Sequence, residues 1–146
     1  MKYSQIKQIR ALCDDLVSVH AWRDVVEKIL SGVQDFEVDG DRFIHDDVIL
    51  SVLADELTNN EYILGGFASW CIAQATDWPA LLIEAAQKGR AYAEIGDAMD
   101  TDQIRKLAEI YSSAEGFGHH FNRYDGGEEE LRVEEFGLFH VFDNRG

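Results

Sequence analysis

The sequence predicts an α+β fold that is mostly helical, with about six helices and a small antiparallel sheet. Apolar residues recur every three or four positions along most of the chain, which is the period of amphipathic helices. Two segments, near residues 33–44 and 117–142, instead alternate apolar and polar residues or carry Gly-rich turns, which is typical of hairpins. With 146 residues, the chain is most simply one domain, residues 1–146.

Two helices are predicted to open the chain. In residues 3–17, Ile9 and Cys13 belong to one apolar stripe. Ser18 is a candidate N-cap for a second helix, and Gly32 is the expected left-handed stop after that helix. A short joint between two amphipathic helices predicts a helical hairpin.

The period changes in residues 33–44, where acidic and apolar residues alternate. An Asp39-Gly40 pair between two alternating runs is a strong signal for a β-hairpin turn. Asp35, Glu37 and Asp39 are then expected on one face of the first strand. Because a row of like charges is unfavourable away from water, this face is predicted to be exposed to solvent.

Helical patterns return in residues 46–114. The segment Tyr62–Ala75 is apolar around most of its circumference, which predicts one helix that is buried on several sides. Gly65 and Gly66 lower its helix propensity by about 1 kcal/mol each, so we expect another backbone to approach closely there. The other expected boundaries are a cap at Asp46 or Asp47, a first turn at Pro79, a stop at Gly89, a short helix at Ala91–Ala98 and a capping box of Asp100 with Gln103.

From Gly116 onward the chain is rich in glycine, aromatic and acidic residues. This composition predicts three strands, near His119–Tyr124, Glu130–Glu134 and Leu138–Phe142, with a turn at Asp125-Gly126-Gly127. Pairing of these strands with the earlier hairpin predicts one small antiparallel sheet.

The net charge is −15, from 28 acidic and 13 basic residues. Nucleic-acid binding requires a basic patch, and the sequence contains none, so direct binding of DNA or RNA is not expected. Binding to an anionic membrane is disfavoured for the same reason, and no apolar segment reaches the length of about 18 residues that a membrane span needs. A basic protein surface is the expected partner, and plain solubility is the other explanation of the charge.

Cys13 and Cys71 lie in apolar helical patterns, as reduced core thiols do. The N-terminal segment MKYSQIKQIR has no apolar run of the kind found in signal peptides. These features predict a cytoplasmic protein. Because no local metal, nucleophile or phosphate motif occurs, we expect no catalytic residue, no metal site and no cofactor.

One polar cluster carries residue types suited to chemistry, namely His119, His120, Tyr124 and Asp125, with His140 on a neighbouring predicted strand. Adjacent strand residues point to opposite faces, so His119 and His120 are poorly placed to bind one ion. No His-x-Glu, Glu-x-x-His or Cys-x-x-Cys spacing supports a zinc site. The favoured interpretation is that one histidine packs against neighbouring phenylalanines while the other faces water.

Two acidic runs are more prominent. Residues 35–47 and residues 125–135 each hold six acids and one arginine. A shared sheet can merge these runs into one negative face, which would attract basic protein surfaces, whereas the simpler alternative is a solvated acidic surface. The predicted contact residues are Asp35, Glu37, Asp39, Asp41, Glu128, Glu129, Glu130, Glu134 and Glu135.

The segments YILGGFASWCIAQATDWP and GFGHHFNRYDGG resemble those of small uncharacterised proteins encoded by phages and other mobile elements. In size and charge the chain also resembles the acidic anti-restriction and anti-CRISPR inhibitors of such elements, several of which mimic DNA. The resemblance implies a non-enzymatic protein that blocks a host nucleic-acid-binding defence protein, and it assigns no functional residue. Two alternatives stay open: a small enzyme or metal-binding protein centred on His119, His120, Tyr124 and Asp125, and a structural or assembly protein that forms a homodimer.

Overall fold

The computed structural model describes residues 3–16, 21–123 and 125–144, without the side chains at positions 8, 12–16 and 61. The predicted cap at Ser18, the side chain of Cys13 and the predicted site residue Tyr124 therefore lie outside the described residues. The chain divides into two compact units, one formed by Met1–Ile49 with Gly116–Gly146 and the other by Leu50–Glu115. The assignment of a single domain stays a prediction.

The described residues form nine helices and four strands, so the predicted α+β class is confirmed, whereas the predicted number of about six helices is too low. In chain order, the elements are α1 (Tyr3–Leu16), α2 (Trp22–Leu30), β1 (Asp35–Val38), β2 (Asp41–His45), α3 (Ile49–Asn59), α4 (Glu61–Gly66), α5 (Ser69–Thr76), α6 (Ala80–Lys88), α7 (Tyr92–Ala98), α8 (Thr101–Glu115), α9 (Phe117–Phe121), β3 (Glu129–Val133) and β4 (Gly137–Asp143).

The four strands of the first unit form one antiparallel sheet in the order β1-β2-β4-β3. Asp39 and Gly40 connect β1 to β2 with φ angles of 54° and 86°. Positive φ at both central residues is what a tight hairpin turn of the favoured twist requires, so the Asp-Gly prediction is confirmed. Pairing of β2 with β4 joins the two hairpins, which leaves β1 and β3 as the sheet edges.

One face of the sheet, called the inner face, packs against α1 and α2. The helices contribute the apolar stripes predicted from their three- and four-residue spacing, and the strands contribute every second residue. The buried members of this core are Ile9, Ala21, Val25, Ile29, Phe36, Val38, Phe43, Leu131, Val133, Phe139 and Val141.

The opposite, outer face of the sheet carries α9, which contacts β4. The predicted strand at His119–Tyr124 is wrong, because Phe117–Phe121 is helical. Phe117 and Phe121 are four residues apart and so lie on one helix face. Their rings pack against His140 and Phe142 of β4, with centroid separations of 5.3 and 5.2 Å.

The second unit contains helices only among its described residues. The prediction of one helix across Tyr62–Ala75 is wrong, because the backbone is extended at Phe67 and Ala68 and separates α4 from α5. The Gln87 side-chain amide of α6 donates hydrogen bonds to the carbonyl oxygens of Leu64 and Phe67, at 3.0 and 2.8 Å. These bonds satisfy acceptors that an uninterrupted helix would have paired.

Several predicted boundaries are confirmed in the second unit. Pro79 directly precedes α6, and Gly89 ends it. The Asp100 carboxylate accepts from the Gln103 N–H at 2.8 Å, and the Gln103 side chain accepts from the Asp100 N–H at 2.9 Å, which is a complete capping box. No helix among the described residues has both the length and the apolar character needed to cross a membrane.

A close approach is present at Gly65, but the neighbour is the Tyr92 ring and not a backbone. A Cβ at Gly65 would lie 2.3 Å from Tyr92 Cε1, whereas a Cβ at Gly66 would have no atom within 4 Å. We therefore expect Gly65→Ala to lower the free energy of unfolding by about 1–2 kcal/mol, because the ring must move. Gly66→Ala should raise it by up to about 1 kcal/mol, because alanine favours the helix. Urea unfolding measures the change in free energy for each variant. Changes of the same sign for the two variants would contradict the described packing around Gly65.

Candidate functional site

His140 lies near the centre of the outer face, on β4 between its strand partners Ile44 and Glu130. Its side chain is buried, with 5% of the residue exposed. The ring of Phe117 lies 5.3 Å away on one side, and the ring of Phe142 is parallel to the imidazole within 5° at 6.4 Å. An ionisable ring in such apolar surroundings requires polar partners for its two nitrogens.

Two carboxylates supply these partners. His140 Nε2 lies 2.8 Å from Asp46 Oδ1, and His140 Nδ1 contacts the carboxylate of Glu128. Asp46 follows β2 and Glu128 precedes β3, so both are diagonal neighbours of His140 across the sheet, which long side chains can reach. Of the two predicted cap residues, Asp46 and Asp47, Asp46 directs its carboxylate to His140.

The two carboxylates change the ionisation of the ring. Burial by itself lowers the pKa of His140, but the hydrogen bonds to Asp46 and Glu128 and their negative charges outweigh burial. The pKa of His140 is therefore raised above its ordinary value. A protonated ring can donate from both nitrogens at once, which matches the two carboxylates on either side of it.

Glu130 brings a third acid to this site. Glu128, Glu130 and His140 each offer one ligand atom, and these atoms all lie within 4.8 Å of one another. Both glutamates are exposed, whereas the imidazole is buried. Among the described residues, this is the group of histidine, cysteine and acidic side chains with a geometry suited to a metal ion.

The predicted cluster of His119, His120, Tyr124 and Asp125 has a different arrangement. Because α9 is helical, the expectation that His119 and His120 point to opposite strand faces does not apply. His119 is exposed, and the His120 ring lies edge-on to Phe121 at 4.8 Å. The Asp125 carboxylate accepts from the Gly127 N–H at 2.9 Å, so it closes its own turn.

His45, in the same unit, is a buried histidine whose two ring nitrogens form hydrogen bonds to backbone groups. Its Nδ1 accepts from the Asp47 N–H at 3.0 Å, which places the proton on Nε2, and Nε2 donates to the Phe136 carbonyl oxygen at 2.6 Å. Both nitrogens of this buried ring therefore form hydrogen bonds with the backbone. His140 differs because both of its nitrogens face carboxylates.

Cys71 is buried, as predicted for a core thiol. Burial raises the pKa of the Cys71 thiol, and the charge of Glu115 raises it further. Since the thiolate is the reactive form, this position is unsuited to a nucleophile.

The two acidic runs lie in one sheet, with Asp35 and Glu37 on edge strand β1 and Glu129 and Glu130 on edge strand β3. Three strand spacings of about 4.8 Å separate these edges by about 14 Å. The runs meet on the outer face, where Asp46 and Glu128 contact His140. At the first edge, Asp35 accepts two hydrogen bonds from the Arg42 guanidinium, at 3.0 and 2.8 Å. The Glu37 carboxylate accepts from the Asn144 amide at 3.2 Å. Much of the first run is thus paired within the chain.

The predicted contact residue Asp41 is buried. Only 2% of Asp41 is exposed, because it lies at the start of β2 on the same strand face as Phe43 and His45. The other predicted contact residues are exposed, namely Asp35, Glu37, Asp39, Glu128, Glu129, Glu130, Glu134 and Glu135.

Sequence reasoning missed the convergence of Asp46, Glu128 and Glu130 on His140. The available signal was weak: Glu128 and Glu130 are two residues apart in an alternating segment, and His140 lies in the next strand. Only the strand register, which pairs Glu130 with His140, brings them together.

Comparison of the chain with models of protein families, with curated proteins and with solved structures gives no match. The resemblance of residues 62–79 and 116–127 to phage proteins stays a prediction.

Proposed function

We propose that this is a non-enzymatic acidic binding protein that inhibits a host nucleic-acid-binding defence protein, of the restriction or CRISPR type, by covering its basic surface. The observation that carries the proposal is an exposed acidic edge, defined here as Glu128, Glu129, Glu130, Glu134 and Glu135. These residues lie along edge strand β3, just before it and in the turn after it.

The acidic edge has the properties that attract a basic protein. Arg132 is the single basic residue between positions 125 and 135. Like charges at this density produce a negative potential that speeds encounter with a positive surface. Such attraction is screened beyond about 8 Å at physiological salt, so it acts on partners that come close to this edge.

A capture experiment from a host-type lysate tests the class of partner. We expect the protein to retain a nucleic-acid-binding protein at low salt, identified by mass spectrometry. Retention should fall as salt rises and as sheared DNA is added, because DNA competes for the same basic surface. Retention that is insensitive to both would contradict the proposal.

Charge reversal tests the surface itself. We expect the triple variant Glu129→Lys, Glu134→Lys and Glu135→Lys to weaken binding to the captured protein by at least about tenfold, since three attractive contacts become repulsive. The matched control reverses three exposed acids of the second unit, Glu94, Asp97 and Asp102, and changes the net charge equally.

The control separates a local surface from total charge. If both triples weaken binding equally, the acidic edge is not the contact surface. Circular dichroism checks that each variant stays folded. A molecular mass that rises with concentration, with no partner captured, would favour the homodimer alternative.

A further inference from the structure

We propose that Glu128, Glu130 and His140 form a binding site for one divalent transition-metal ion of the Zn²⁺ and Mn²⁺ class. Their ligand atoms all lie within 4.8 Å of one another. Two atoms that each bind one ion at about 2.1 Å are at most about 4.2 Å apart. Small rotations of the two exposed glutamate side chains therefore bring all three atoms to coordinating distance.

The β3–β4 hairpin fixes this arrangement. Glu128 and Glu130 are two residues apart, which is the spacing for one face of an extended strand, and Glu130 pairs directly with His140. Leu131 and Val133 are buried on the other face of β3. A one-residue slip of the strand would expose them, so the apolar core also sets the register of the metal ligands.

The orientation of His140 is an independent observation that points to a metal. A metal-binding histidine usually donates its second ring N–H to a carboxylate, which fixes the ring and its tautomer. Asp46 Oδ1 occupies this position, 2.8 Å from His140 Nε2. Nδ1 is thereby directed toward Glu128. A cluster of acids alone lacks such a buried and oriented imidazole.

The donor set selects the class of ion. One imidazole with two carboxylates suits Zn²⁺ and Mn²⁺, whereas Ca²⁺ and Mg²⁺ are held by oxygen ligands. Three protein ligands also leave a coordination position for water or for a group from another molecule.

The competing explanation is a protonated His140 that only bridges Asp46 and Glu128. The site does not depend on the partner proposed above.

Calorimetric titration of the untagged, EDTA-treated 146-residue chain with ZnCl₂, in the presence of excess MgCl₂, tests the proposal. We expect one Zn²⁺ per chain. Glu130→Gln should weaken Zn²⁺ binding by at least about tenfold, because it removes an anionic ligand. The matched control is Glu129→Gln, which removes the same charge one residue away on the opposite strand face and should change affinity by less than about twofold.

A second pair of variants tests the role of Asp46 as a positioning residue. Asp46→Asn should weaken Zn²⁺ binding by about 10–100-fold without removing a ligand. Asp47→Asn is the matched control, since the Asp47 carboxylate faces His45, 3.7 Å from its Nδ1. Unfolding midpoints measured without metal separate a loss of affinity from a loss of stability. Absence of saturable Zn²⁺ binding, or equal losses within either pair, would overturn the metal site.

Discussion

Phe142→Ala should lower the free energy of unfolding of the first unit by about 3–5 kcal/mol, the usual cost of truncating a fully buried phenylalanine. Phe142 has 0% exposure. Its ring lies 5.2 Å from that of Phe121 and parallel to the His140 imidazole, so it joins α9 to the outer face of the sheet. Urea unfolding followed by far-UV circular dichroism measures the change as a lower midpoint.

Leu138→Ala is the matched control for this prediction. Leu138 lies four residues earlier on β4, on the same face, but is only half-buried. Its truncation should cost less than half as much, because less apolar area is returned to water. Similar costs for Phe142→Ala and Leu138→Ala would contradict the burial of Phe142 beneath α9.

Local signals predicted most of the fold because they report on short-range geometry. The Asp39-Gly40 turn and the Asp100–Gln103 capping box each involve residues within four positions of each other, and both are present as predicted. At Phe67 the preceding Gly65-Gly66 pair was a local signal for a helix end, but Gln87, which donates to the Phe67 carbonyl oxygen, is 20 residues away in sequence. No local pattern around Phe67 contains this long-range contact.

The error at α9 has a similar cause. Gly116 and Gly118 lower helix propensity, and aromatic residues favour strands, so composition favoured a strand there. The four-residue spacing of Phe117 and Phe121 favours a helix instead. The helix forms because this spacing lets both rings pack on β4. Tertiary burial can override propensity when the segment is this short.

The candidate site was less predictable than the fold. Asp46 and His140 are 94 residues apart in sequence, and only the pairing of β2 with β4 brings them together. Acid-rich composition did identify the neighbourhood, since Glu128 and Glu130 were among the predicted contact residues. It did not distinguish a side chain that faces His140 from one that faces solvent, because this depends on strand register.

A close approach of another backbone segment explains why α9 contains Gly118, a residue with poor helix propensity. A Cβ at Gly118 would lie 2.2 Å from the Gly126 carbonyl oxygen and 2.6 Å from that of Gly127. The obstacle is backbone, and the Gly127 carbonyl is also held by the Asn122 side-chain amide at 2.7 Å. Any larger residue at position 118 must therefore displace the loop that leads directly into Glu128.

Gly118→Ala should lower the free energy of unfolding by about 3 kcal/mol, near the upper end of the usual cost of overpacking. It should also weaken Zn²⁺ binding, because the loop carries Glu128 toward His140. His119→Ala, at the exposed neighbouring position on α9, is the control and should change stability by less than about 0.5 kcal/mol. Urea unfolding and Zn²⁺ titration measure the two effects separately.

A Gly118→Ala variant with unchanged stability would show that α9 does not approach the 126–127 backbone closely. A destabilised variant with unchanged Zn²⁺ affinity would show that Glu128 is positioned by β3 alone, since the strand would then hold the carboxylate without help from the loop.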